Sequence, residues 1–138
     1  MKEVFVDTNI FIRYLLEDEK EQVEQVENLF RLADEGEIKL VTNWLVMAEI
    51  DWALTSFYKL SKAKICKAFE KILALSFLEI NKKDLLFKAV EIYKKKNVDF
   101  VDCLNFVFAK DKKLPIASFD RDFDKINKRV RYRLNSFL

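Results

Sequence analysis

The sequence predicts an α/β fold with three layers, in which helices cover both faces of a mainly parallel sheet. Short β-prone apolar runs alternate along the chain with longer segments whose apolar residues recur at helical spacing. The 138 residues are 51% hydrophobic, which is enough for one sizeable core. No linker, internal repeat or low-complexity tract divides them, so we expect a single domain over residues 1–138.

Five short runs rich in aliphatic and aromatic residues are the strand candidates. They cover residues 3–6, 38–41, 77–80, 115–119 and 130–134. The only proline, Pro115, stands at the entry to the fourth run, where its missing N–H costs least. Alternation with helices favours parallel pairing of these strands.

Capping residues indicate where the helices begin and end. Thr8 or Asn9 can begin a helix after the first strand, and Gly36 suits the end of the second helix. Thr42 or Asn43 can cap the third, which is strongly apolar. The helix candidates cover residues 8–15, 23–33, 44–58, 61–73, 83–96 and 100–111.

Several absences narrow the chemistry. The chain has no histidine, which excludes Ser-His-Asp and Cys-His nucleophilic sites and His-ligated zinc. Gly36 is the only glycine, which excludes Gly-rich phosphate loops and dinucleotide fingerprints. Cys66 and Cys103 match no metal-ligand or redox spacing, so we expect buried thiols in a reducing compartment. Because no run of about 18 uncharged apolar residues occurs, we expect a soluble, cytoplasmic protein without membrane contact.

Charge is balanced overall but not along the chain. With 25 basic and 23 acidic residues, the formal charge of +2 does not by itself indicate nucleic-acid binding. From residue 121 onward, six basic residues face only two acids, Asp122 and Asp124. The six are Arg121, Lys125, Lys128, Arg129, Arg131 and Arg133. This segment is either a solvated face or a contact for nucleic acid or a partner.

Two aspartates directly follow predicted strands. Asp7 comes after residues 4–6, and Asp120 comes after residues 115–119. Open parallel sheets place their ligand sites beyond the carboxyl ends of the strands, so both positions suit a functional site. The alternative for each is a helix or turn cap, because aspartate favours both.

Two further carboxylates lie in strongly apolar helices. Apolar residues occupy most helical positions around Glu49, which predicts a largely buried helix. Asp102 and Asn105, spaced i, i+3 on one face, are almost the only polar groups of residues 100–109. Burying an unpaired carboxylate costs several kcal/mol, so each needs a cation, hydrogen bonds or a raised pKa. The alternatives are a narrow polar stripe for Glu49 and, for Asp102, a first-turn acid behind an Asp99 cap.

If these four carboxylates converge, their charges repel one another by several kcal/mol in a poorly solvated cleft. A hard divalent cation resolves this, because Mg²⁺ and Mn²⁺ prefer oxygen ligands and are commonly held by a few carboxylates with substrate phosphate. Such ions activate water for in-line attack on a phosphodiester. An all-oxygen site without histidine therefore favours Mg²⁺ or Mn²⁺ over zinc.

Four short motifs occur in a fixed order along the chain. They are Asp7-Thr8-Asn9 after the first strand, Glu49 in a mid-chain apolar helix, the stretch from Asp99 to Leu104, and the stretch from Ser118 to Phe123. Together these motifs resemble the PIN-domain family, specifically the VapC-type toxins of bacterial and archaeal toxin–antitoxin pairs. The resemblance covers essentially the whole chain.

The resemblance implies a five-stranded sheet ordered 3-2-1-4-5, a homodimer, Mg²⁺- or Mn²⁺-dependent endoribonuclease activity on RNA, and inhibition by a cognate antitoxin protein. The acids that match the metal-binding, catalytic quartet are Asp7, Glu49, Asp102 and Asp120. The residues that match polar helpers are Thr8, Asn9 and Ser118, with serine where threonine is common. The residues expected to act as caps or to support the ligands are Asp99 and Asp122.

Three other functions fit parts of the pattern. A haloacid-dehalogenase-like phosphatase also places an aspartate after its first strand, but it needs a second aspartate two positions on, where this chain has Asn9. A catalytically weak module that binds RNA or protein would keep the acidic pocket without turnover. A purely structural role would leave Glu49 and Asp102 unexplained.

Overall fold

The computed structural model describes residues 1–134, which fall into two compact units. The first unit, Met1–Lys83, combines a parallel sheet with four α-helices, and the second begins at Asp84 and is mainly helical in its described part. The α/β class predicted from the sequence is therefore confirmed. Among the residues described, no helix is both long enough and apolar enough to cross a membrane.

The sheet of the first unit consists of three parallel strands. They are β1 (Lys2–Phe5), β2 (Ile38–Thr42) and β3 (Leu78–Ile80). Strand β2 lies in the centre, where Leu40 pairs with Val4 on one side and with Leu78 on the other. Leu40 is fully buried, so the central strand anchors the core of this unit. These three strands have the neighbours that the predicted order gave them.

Three of the four helices of the first unit begin where the capping pattern predicts. The four are α1 (Thr8–Leu16), α2 (Lys20–Asp34), α3 (Trp44–Trp52) and α4 (Lys62–Leu73). Helix α2 begins three residues before its predicted start, without a side-chain cap. Asn43 Oδ1 accepts a hydrogen bond from Val46 N at 3.0 Å, and Ser61 Oγ accepts one from Lys64 N at 3.3 Å. Gly36 follows α2 with a φ of 79°, a left-handed conformation that glycine adopts without a steric penalty.

Helix α3 differs from its prediction in length and in burial. The α-helix ends at Trp52, and a π-helical turn, Ala53–Phe57, replaces the predicted continuation to residue 58. Ile50 is fully buried, but Leu45 is 67% exposed and Trp52 is 66% exposed. The prediction of a largely buried helix is therefore wrong for one face. Apolar composition alone did not reveal which face of α3 packs on the core.

The described part of the second unit contains three helices. They are α5 (Lys83–Lys95), which starts at the last residue of the first unit, α6 (Phe100–Asp111) and α7 (Asp122–Ile126). Helices α5 and α6 meet through the Tyr93 and Phe100 rings, whose centroids are 5.4 Å apart in an edge-to-face arrangement. Phe123 of α7 is buried, and α7 packs against α6. Helix α7 was not predicted.

The predicted fourth and fifth strands do not form in the described residues. Only an isolated parallel bridge joins Ile116 to Arg131. Side chains occupy groups that a longer ladder would use: Arg131 donates to the Ser118 carbonyl at 3.2 Å, and Ser118 Oγ accepts from Asp120 N at 3.0 Å. The five-stranded order 3-2-1-4-5 is thus not confirmed beyond its first three strands.

Thr42 holds Val6, which lies between the end of β1 and Asp7. It is buried at the end of β2, and its hydroxyl donates to the Val6 carbonyl at 2.9 Å. We expect Thr42→Val to lower the free energy of unfolding by about 1–2 kcal/mol, because the shape is kept while a buried acceptor loses its donor. Urea unfolding followed by circular dichroism measures this. The exposed Thr55 serves as the control, and an equal loss in Thr55→Val would contradict the assignment.

Candidate functional site

Three carboxylates of the second unit form a cluster. Asp102 lies in the first turn of α6, Asp120 lies in the loop before α7, and Asp122 is the first residue of α7. Each offers one carboxylate oxygen, and these three oxygens lie within 4.8 Å of one another. The structure therefore brings together Asp102 and Asp120 of the predicted quartet and adds Asp122, which the sequence suggested only as a cap or support.

Two consecutive turns position Asp120. Its backbone N–H donates to Ser118 Oγ at 3.0 Å, and its Oδ1 accepts from the backbone N–H of Asp122 at 2.8 Å. Serine and aspartate favour such local hydrogen bonds. Ser118 therefore supports the Asp120 loop, and Asp120 orients the start of α7.

Asp102 is the half-buried member of the acidic cluster. Burial raises the pKa of Asp102, and the negative charges of Asp120, Asp99 and Asp122 raise it further. Within residues 1–134 the Asp102 carboxylate takes part in no hydrogen bond or ion pair. The sequence-based expectation of a poorly compensated carboxylate at this position is met, although Val101 and Phe108 of the same helix are partly exposed.

Lys125, one of the six basic residues noted from residue 121 onward, forms an ion pair with a member of the acidic cluster. Its ammonium lies 2.9 Å from Asp122 Oδ1 and donates to the Asn97 carbonyl at 3.3 Å. The hydrogen bond and charge of Asp122 raise the pKa of Lys125. The i, i+3 spacing of Asp122 and Lys125 was the available signal. Because Lys125 neutralises Asp122, the negative charge of the cluster that is not balanced lies on Asp102 and Asp120.

Asp99 occupies the N-cap position of α6 but does not cap it. Its backbone is extended, with φ −71° and ψ 151°, and its side chain accepts no capping hydrogen bond. The prediction of a side-chain cap is therefore wrong. The Asp99 carboxylate instead adds negative charge to the surroundings of Asp102.

Arg131 anchors the segment that follows α7. Its guanidinium binds both carboxylate oxygens of Asp124 at 2.9 Å and donates to the Ser118 carbonyl at 3.2 Å. This ion pair lowers the pKa of Asp124. No pattern in the sequence indicated this pairing. Arg131 thus connects α7 to the loop that carries Asp120.

Hydrogen bonds join three of the predicted site residues of the first unit, Asp7, Thr8 and Glu49. Asp7 is the N-cap of α1, and its Oδ1 accepts from Thr8 N at 2.8 Å. Thr8 Oγ1 donates to Glu49 Oε2 at 2.9 Å. Asp7, Asn9 and Glu49 are all exposed, so the expectation of a buried Glu49 is wrong. Thr8 orients Glu49, as a polar helper would.

The donor set of the acidic cluster suits a hard divalent cation. Oxygen ligands of one Mg²⁺ lie at most about 4 Å apart, twice the metal–oxygen distance. The three carboxylate oxygens lie within 4.8 Å of one another, close to this spacing. The cluster contains neither a thiolate nor an imidazole, which are the preferred ligands of zinc. The residues present therefore fit Mg²⁺ or Mn²⁺.

Comparisons with known proteins give matches over most of the chain. A family model described as the PIN domain matches residues 4–129. A VapC ribonuclease of Aquifex aeolicus (strain VF5) is 32% identical over 123 residues, which are 88% of this chain and 90% of that protein. The crystal structure of Mycobacterium tuberculosis VapC20, described as a sarcin-ricin loop cleaving toxin, is 20% identical with a TM-score of 0.38, covering 89% of this chain and 94% of that one. The family-model match and the 32% identity show that the chain belongs to the PIN-domain family, among its VapC-type members.

Proposed function

We propose that this protein is a Mg²⁺- or Mn²⁺-dependent endoribonuclease that hydrolyses RNA phosphodiester bonds as the toxin of a toxin–antitoxin pair. The observation that carries the proposal is the cluster of Asp102, Asp120 and Asp122, whose oxygens lie within 4.8 Å of one another. Identity to a protein named as a VapC ribonuclease supports RNA as the substrate.

The proposed metal-binding and catalytic carboxylates are Asp7, Glu49, Asp102 and Asp120. In this role Asp102 contributes a half-buried charge without a protein cation, which a metal ion would neutralise. Thr8 holds the carboxylate of Glu49 through its hydroxyl. Ser118 holds the Asp120 loop. Asn9, Asp99 and Asp122 are proposed as auxiliary residues.

The divalent cation supplies charge neutralisation at the phosphate and activation of water when it is bound. The chain supplies the orientation: in our proposal Asp120, fixed by Ser118, orients the attacking water. Because the chain has no histidine, no imidazole is available to deprotonate the RNA 2′-hydroxyl. We therefore expect products with a 5′-phosphate and a 3′-hydroxyl.

The partners proposed are RNA, a cognate antitoxin protein and a second copy of the chain. Leu45, Trp52 and Phe57 are all more than half exposed in and after α3, and exposed apolar surface of this kind marks protein contacts. We also propose that residues 1–138 act as a single nuclease domain, because the family match runs through both units. Light scattering of the purified protein tests the homodimer.

The test is cleavage of a mixed single-stranded RNA pool in Mg²⁺, in Mn²⁺ and in EDTA. We expect cleavage with either cation and none in EDTA. Asp7→Asn, confirmed as folded by circular dichroism, is expected to lose about 100-fold in rate or more, since even residues that only support metal ligands contribute about 10- to 100-fold. The chemistry of the new ends is read by phosphatase and ligase treatment.

Two results would overturn the proposal. Products ending in a 2′,3′-cyclic phosphate would show that the RNA's own 2′-hydroxyl attacks, which the carboxylate mechanism does not predict. If neither the wild type nor Asp7→Asn cleaves RNA while both still bind RNA or a protein partner, a binding module would be favoured instead.

A further inference from the structure

A cavity of about 480 Å³ lies beside the loop that carries Asp120. One side is lined by Ser118, Phe119 and Arg121, and the other by Lys128 and residues 131–134. The parallel bridge between Ile116 and Arg131 holds these two segments together. The cavity is therefore built by ordered backbone on both sides, within the second unit.

The cavity carries a net positive charge. Arg131 and Asp124 form an ion pair in the lining, so their opposite charges cancel. The three other charged side chains of the lining are Arg121, Lys128 and Arg133, all of them cations. None of these three forms an ion pair with another residue of the described chain. Their charge is available to an anionic ligand.

Two aromatic rings face solvent at the same cavity. Phe119 is 90% exposed, and it immediately precedes Asp120 of the acidic cluster. Tyr132 is 57% exposed on the opposite wall. An exposed phenylalanine gains little from folding, but its flat face can stack on another planar ring. Aromatic rings interleaved with cations are what proteins use to bind single-stranded nucleic acid.

We propose that this cavity is a subsite for single-stranded RNA next to the cleavage site, with bases stacking on Phe119 and Tyr132 and phosphates bound by Arg121, Lys128 and Arg133. This inference rests on the proposed ribonuclease function and assigns it a substrate-binding surface. The stacked bases must be unpaired, because the bases of an RNA duplex are already stacked on one another.

The cations of this subsite offset the repulsion between RNA phosphates and the acidic cluster. A phosphodiester that approaches the carboxylates of Asp102 and Asp120 is repelled by their charge. Cations on the adjacent surface attract the neighbouring phosphates and offset that repulsion. The exposed Phe119 then holds the chain next to the acidic cluster, so the subsite positions RNA beside the carboxylates.

The test measures binding without cleavage. The full-length protein is titrated in EDTA against a short single-stranded RNA that carries one 2-aminopurine, whose fluorescence is quenched on stacking. Phe119→Leu keeps the apolar bulk but removes the ring, and we expect it to weaken binding by about 5- to 100-fold and to reduce the quenching, since Tyr132 still stacks. The triple variant Arg121→Gln/Lys128→Gln/Arg133→Gln is expected to reduce the slope of log affinity against log salt by about 2.

Matched controls come from elsewhere in the second unit. Phe87→Leu removes an exposed ring that lines a different cavity, and Arg129→Gln removes an exposed cation outside this lining. Both are expected to bind RNA like the wild type. Circular dichroism of every variant confirms the fold.

Each outcome decides between the inferences. If the wild type cleaves RNA and the cavity variants bind and cleave like it, the subsite is refuted while the ribonuclease function stands. If the cavity variants lose binding but the wild type never cleaves, the subsite stands and the proposed function fails. If the variants lose binding of a poly-glutamate peptide but keep that of RNA, the cavity binds acidic protein segments and the RNA subsite is refuted.

Discussion

Replacing Asp102 by asparagine is expected to lower metal-dependent RNA cleavage by about 100-fold or more and also to stabilise the metal-free protein. Both effects follow from one feature, a half-buried carboxylate surrounded by Asp120, Asp99 and Asp122 without a cation of its own. Asparagine keeps the shape and removes the charge. Activity at the cost of stability is typical of functional sites.

The pH dependence of this stabilisation has a definite sign. Folding raises the pKa of Asp102 above its ordinary value of 3.8, so the native state holds the proton more tightly than the unfolded state. Below that value the Asp102 side chain is protonated in both states and does not destabilise the fold. As the pH rises through the folded-state pKa, the side chain becomes charged and the native state loses stability. The advantage of Asp102→Asn is therefore complete above the folded-state pKa and disappears as the pH falls towards 3.8.

Calorimetry in EDTA measures the stability, and we expect a rise in Tm of about 3 °C at pH 7. Addition of Mg²⁺ should raise the Tm of the wild type more than that of the variant. Asp84→Asn is the matched control, because Asp84 is an exposed first-turn acid of α5. It should leave cleavage unchanged and give no rise in Tm. A wild-type cleavage rate in Asp102→Asn would remove this residue from the active site.

Two substitutions on helix α3 are expected to differ sharply in their effect on stability. Ile50→Ala should lower the free energy of unfolding by about 2–5 kcal/mol, because Ile50 is fully buried and its truncation leaves a cavity. Leu45→Ala should change it by about 0.5 kcal/mol or less, because the Leu45 side chain is 67% exposed. Both variants remove aliphatic bulk from the same nine-residue helix.

Urea unfolding at several protein concentrations measures both variants. A loss at Leu45 as large as that at Ile50 would show that the exposed face of α3 is covered in solution. If that loss depended on protein concentration, the cover would be a second copy of the chain. The same series therefore tests the proposed homodimer.

Much of the local structure was predictable because it depends on neighbouring residues. Asn43 and Ser61 each cap a helix by accepting a hydrogen bond from the N–H group three residues further on. Gly36 supplies a left-handed backbone just after α2. The positions of Asp7 and Asp120 after apolar runs were also visible in the sequence, as was the spacing that resembles the PIN-domain family.

The errors concern contacts between residues that are distant in sequence or faces that look alike. Glu49 was expected to be buried, yet only one side of α3 packs inwards and Glu49 is exposed. Asp99 stands where a cap belongs, but its carboxylate acts on Asp102 through charge alone. In place of the predicted fourth and fifth strands, only an isolated bridge joins Ile116 to Arg131 in the described residues.

The amino-acid sequence by itself determined the α/β class, the starts of helices α1, α3 and α4, the family and the acidic residues that suit a divalent cation. Periodicity, capping and residue chemistry act over a few residues, so they can be seen in one dimension. Only the tertiary structure decided that Asp122 joins Asp102 and Asp120, that Lys125 neutralises one of these acids, and that Phe119 faces solvent beside three unpaired cations. These features depend on through-space distances of a few ångströms between separate segments, and no local pattern encodes such distances.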